Sequence, residues 1–104
     1  MTTLLLLIWM ASADPFAEDT TSWTSIRHGG EEIRYRREGR TMLLALRNHE
    51  KRPLQVDVVW RELGIKGTVR VYDVTSGKDE GKVQGGFAKK LAGGQCHGFR
   101  LTLP

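Results

Sequence analysis

Cys96 beside His97 is the one place in the sequence where a nucleophile stands next to a base. Nucleophilic catalysis needs the two side chains within hydrogen-bond reach and a third group that orients the base. Both residues begin an alternating run that continues through Phe99, Leu101 and Leu103, and adjacent residues of a strand point to opposite faces. The thiol and the imidazole should therefore diverge, leaving a small buried thiol and a histidine at a turn. His28, His49 and His97 fall in separate loops with no ligand spacing between any two, so neither a metal site nor a cofactor is expected.

General acid and base work would need paired carboxylates from Glu31-Glu32, Asp57, Asp73 or Asp79-Glu80. Most of these fall on strand exteriors or in turns, where carboxylates are solvated. Gly85-Gly86 and Gly93-Gly94 match neither a dinucleotide fingerprint nor a phosphate loop, and no helix follows either pair. They read as turns. Arg34, Arg36, Arg37 and Arg40 cluster around Tyr35, a pattern that could follow a phosphate backbone. Glu31, Glu32 and Glu38 neutralise much of that charge, so a nucleic-acid module is kept only as an alternative. Carbohydrate would need exposed aromatic platforms, for which Trp23, Tyr35 and Tyr72 are the weak candidates. Burial of Trp23 is favoured because an aromatic ring removes so much apolar area from water.

The elements that would position these residues are strands. Ile33 and Tyr35 alternate with Arg34 and Arg36 before Glu38-Gly39-Arg40 turns the chain, and Thr41 to Arg47 is apolar on both faces, as suits a covered central strand. Asn48 to Pro53 is a polar loop. Leu54, Val56, Val58 and Trp60 keep a period of two, and Leu63-Gly64-Ile65 forms a compact turn. Val69, Val71 and Asp73 then share one face, followed by polar loops at Thr75 to Lys78 and Asp79 to Lys82, where Gly77 and Gly81 supply the turn positions. Phe87, Lys89 and Leu91 make a weaker alternation before the last strand, Cys96 to Leu103. Six strands can thus be traced without an amphipathic helix. The expected fold class is all-β, an antiparallel sandwich of about six to eight strands or a small barrel.

A chain of 104 residues is one domain by length. The formal charge of +4 makes the surface mildly basic without requiring a polyanionic partner, and a single cysteine allows no intramolecular disulfide. Residues 1–30 read as an apolar and irregular segment ahead of a sandwich over residues 31–104. Leu4 to Met10 followed by Ala11-Ser12-Ala13 has the shape of a short secretory signal, which would make the chain secreted or periplasmic. Because Met1-Thr2-Thr3 carries no positive charge, a packed segment or the remnant of a longer protein fits better. The run is too short to span a bilayer. Asp14 to Gly30 reads as irregular connection.

From Glu31 onward the chain resembles the C-terminal β-sandwich domain of melibiase-type alpha-galactosidases, glycoside hydrolases in which that domain follows a (β/α)8 barrel. The resemblance rests on an ordered series: Leu43 to Asn48, Val56 to Trp60, the Trp60-Arg61-Glu62-Leu63-Gly64-Ile65 turn, Val71 to Gly81, and His97-Gly98 with Arg100-Leu101. Thr75, Glu80 and Gly93-Gly94 depart from the family pattern. The resemblance implies a non-catalytic accessory domain that stabilises a catalytic barrel, since the family's catalytic aspartates sit on that barrel and none can be carried onto this chain. Trp60, Leu63, Gly64, Asp73, Gly77, Gly81, His97 and Gly98 become the structural motif. A free-standing carbohydrate-binding module is the alternative.

Overall fold

The computed structural model describes residues 23–104. Leu4 to Ala13, and with it the choice between signal and packed segment, lies outside the described residues. Eight strands follow in order: β1 (Thr24–His28), β2 (Glu31–Glu38), β3 (Thr41–Asn48), β4 (Leu54–Val59), β5 (Thr68–Asp73), β6 (Lys78–Gln84), β7 (Gly86–Leu91) and β8 (Cys96–Thr102), with a 3-10 turn at Trp60–Leu63. They form a six-stranded sheet in the order β1-β2-β3-β8-β5-β6 and a two-stranded sheet of β4 and β7. Every pairing is antiparallel. The expected antiparallel sandwich is the fold.

The core lies where period-two alternation places it. Met42, Leu44 and Leu46 of β3, Phe99 and Leu101 of β8, and Val69 and Val71 of β5 face Val56 and Val58 of β4 and Leu91 of β7, all buried. Registers such as Leu44 opposite Phe99 and Leu101 opposite Val71 keep these side chains on one face. Trp60 closes one end: its indole N–H donates to the Val83 carbonyl at 3.2 Å, and its ring meets Phe87 edge-on at 5.6 Å. Gly64 ends the 3-10 turn in the left-handed region, φ 72° and ψ 24°, where a side chain would be strained.

Two segments differ from the expected outline. Thr24–His28, placed in an irregular connection, is strand β1, so the sheet begins before Glu31. Lys78–Gln84, expected in polar loops as far as Lys82, is strand β6. Both are edge strands of the large sheet, each with one apolar residue facing the core, Ile26 and Val83. A strand wet along one edge and most of one face needs no apolar alternation, so none marks it.

Candidate functional site

The buried polar centre of the molecule is a carboxylate and an imidazole, and parity along two strands brings them together. Asp73 continues the inward face of Val69 and Val71 on β5, and His97 continues that of Leu101 and Phe99 on neighbouring β8. His97 Nε2 donates to the carboxylate, 2.7 Å from Oδ1 and 2.8 Å from Oδ2, with Asp73 2% exposed and His97 5% exposed. The expectation that His97 sits at a turn is corrected: it is a strand residue turned into the core. The Ser76 N–H donates to Asp73 Oδ1 at 2.9 Å, and the Lys89 ammonium lies 4.0 Å from Oδ2. Burial pushes the Asp73 carboxyl up, but the Ser76 N–H and the imidazole together outweigh it and hold the group below the ordinary carboxylate range.

This pair also anchors the β5–β6 turn. Gly77 N–H donates to the Asp73 carbonyl at 2.8 Å, Val74 N–H to the Gly98 carbonyl at 2.9 Å, and Gly98 N–H to Thr75 Oγ1 at 2.8 Å. Five of the eight motif residues therefore act at one corner or beside it: Asp73, Gly77, His97 and Gly98 in the hydrogen bonds, and Gly81, φ 78°, at the bulge where β6 shifts register against β5. Trp60, Leu63 and Gly64 form the other corner.

Beside Asp73, a cleft of about 210 Å³ opens between β7 and the inner face of β8, β5 and β6. Its walls are Val71, Val83, Phe87 and Phe99, with the two phenyl rings 4.8 Å apart between centroids. Asp73, Glu80 and Lys89 are its charged groups.

Among the described residues, the other reactive side chains do not assemble into a catalytic relay. Cys96 lies on the opposite face of β8 from His97, and burial pushes its thiol up, against the partial pull of Arg47 and Arg34. Ser25 donates to Glu32 at 2.8 Å, and His49 Nε2 meets the other Glu32 oxygen at 2.6 Å. There the carboxylate stands between hydroxyl and imidazole, whereas activating a hydroxyl requires the imidazole in the middle. Among the described residues no three His, Cys, Asp or Glu side chains converge to hold a metal ion.

The sequence-derived ligand candidates are dispersed. Trp23 precedes β1 on the outer face of the large sheet, half-buried, with the Arg34 and Arg36 guanidinium groups each 5.5 Å from its ring centre. Tyr72 is on the same face with Arg100 4.8 Å from its ring, but four strand spacings away, roughly 19 Å. Tyr35 turns inward beside the core. The arginine cluster is divided as well: Arg34 and Arg36 share the outer face, while Arg37 alternates to the other side and donates to the Gly39 carbonyl at 2.9 Å.

Sequence reading passed over Asn48. It is fully buried, donates from Nδ2 to the carbonyls of Arg52, Ala92 and Leu91 at 2.8, 3.1 and 3.3 Å, and accepts the Glu50 N–H at 2.8 Å. A polar residue on the inward register of Met42, Leu44 and Leu46 was the available signal. The same parity was the signal that Asp73 and His97 face inward.

No family model matches the sequence, and no curated protein matches it. Solved structures match its fold. A GH27 β-L-arabinopyranosidase from Geobacillus stearothermophilus superposes with a TM-score of 0.74 at 18% identity, over 80% of this chain and 20% of the enzyme. Alpha-galactosidase I from Mortierella vinacea gives 0.71 at 10% identity, over 78% and 23%. A Bacteroides fragilis protein provisionally assigned as an alpha-galactosidase/melibiase gives 0.60 at 26% identity, over 72% and 16%. The chain thus spans about a fifth of the length of the enzymes it resembles. The resemblance read from the sequence and the match of folds point to the same group of glycoside hydrolases.

Proposed function

We propose that this chain is a non-catalytic accessory β-sandwich of an alpha-galactosidase-like glycoside hydrolase, which packs on a catalytic (β/α)8 domain and stabilises it. The observation that carries the reading is the proportion of the fold match: four-fifths of this chain on one-fifth of a complete enzyme. The polar centre supports it, because Asp73 and His97 join β5, β8 and the β5–β6 turn. A partner barrel would supply the chemistry, and the sandwich would supply apolar and charged surface for docking. Sugar contact is secondary in this reading.

The test has two arms. Full-length chain, purified free of barrel-containing contaminants, should not hydrolyse an aryl alpha-galactoside. Added to a catalytic barrel encoded at the same locus, it should raise that barrel's midpoint of thermal inactivation by several degrees, about 2 °C per kcal/mol of coupling for a barrel of roughly 250 residues. Turnover by the chain alone would overturn the reading.

A further inference from the structure

We propose that the cleft between β7 and the inner face of β8, β5 and β6 binds a single hydroxylated ring, a pyranose or comparable cyclic polyol. The cleft follows from the unequal sheets. Two strands cannot cover six, so β7 stops short of β6 and leaves Val83 and Phe87 half-buried along an open flank. Its volume of about 210 Å³ lies below the range of roughly 300–1,000 Å³ for drug-sized ligands, which limits the occupant to one ring.

The polar groups select the chemistry. Asp73 is buried yet lines the cleft, and its carboxylate has used only part of its accepting capacity on Ser76 and His97. The Lys89 ammonium is 4.0 Å from Oδ2, too far for a hydrogen bond, so the two present an acceptor and a donor side by side. Adjacent hydroxyls of a ring answer both, one donating to Asp73 and its neighbour accepting from Lys89. Glu80 at the rim accepts a third. The C–H face of such a ring would lie on Phe87 and Val83. An anion would meet two carboxylates against one ammonium, and a purely apolar molecule would desolvate Asp73 and Lys89 without replacing water. The outer-face aromatics Trp23 and Tyr72 take no part, and the cleft is independent of the accessory-domain reading, which stands or falls on other measurements.

Amide shifts of the full-length chain should be followed by NMR during titration with D-galactose, D-glucose and myo-inositol, with inorganic phosphate as the anionic control. At least one ring should give saturable shifts centred on residues 71–73, 80–83 and 87–89, half-complete at about 1–10 mM, and phosphate should give none. Lys89→Met and Glu80→Gln should each weaken binding by about threefold or more, and Glu80→Gln, at an exposed position, should leave the thermal midpoint unchanged. Phe87→Ala is a poorer probe because it also removes core packing against Trp60 and Phe99. The proposal is overturned by the absence of saturable shifts up to about 100 mM. It is equally overturned by shifts centred on Trp23 or Tyr72, or by binding indifferent to both Lys89→Met and Glu80→Gln.

Discussion

Asp73 and His97 keep an acid and a base out of water, and such a pair is costly to break because the survivor is left buried without its partner. Asp73→Asn should lower the unfolding free energy by about 3 kcal/mol at neutral pH, measured by urea denaturation. The sign of the pH dependence follows from the depressed carboxyl. An unfolded aspartate takes up its proton near pH 3.9, before the folded one, so the pair's contribution is complete above that value. It is lost as pH falls through the lower folded value. The stability gap between the native chain and Asp73→Asn should therefore be constant from pH 6 to about pH 5 and close below about pH 4. A gap that persists undiminished at pH 2 would show that the ionised carboxylate is not what holds the corner. Both residues could be placed on inward faces from parity alone. Their meeting could not, because β5 and β8 are separated by two strands of sequence and only the sheet order makes them neighbours.

Elements legible in the sequence are the central ones. Thr41 to Arg47 announced itself because it is apolar on both faces; β1 and β6 did not, because one edge of each is free. Passages between the sheets are a second class of hidden constraint. The chain leaves the large sheet after β6 and enters the small one at Gly86, where φ is 145° and a Cβ would stand 2.0 Å from the Val58 carbonyl oxygen. Gly86→Ala must therefore move backbone, and should cost about 3 kcal/mol or more by chemical denaturation. Gly94→Ala is the comparison: its φ is 73°, but nothing lies within 4 Å of a new Cβ, so the backbone term alone applies, about 1 kcal/mol. Equal costs would refute the close-approach argument. In the sequence both glycines belong to plain Gly-Gly pairs.

At the scale of the molecule, β4 and β7 pair only with each other, and an isolated pair of strands is marginal in water. Their stability comes from Val56, Val58 and Leu91 packed on the large sheet, so the two sheets should unfold together. In a Trp9→Phe, Trp23→Phe background, Trp60 fluorescence and far-UV circular dichroism should give one coincident urea transition; two separated midpoints would contradict this. The sequence by itself determined the all-β class, the central strands and the inward residues, because side-chain alternation is local and the core enforces it residue by residue. Tertiary structure alone decided the rest: which strands became neighbours, that two cover six, and that Asp73, His97 and Lys89 from three strands converge beside an open cleft. Those outcomes depend on pairing across long stretches of chain, which alternation within a strand does not encode.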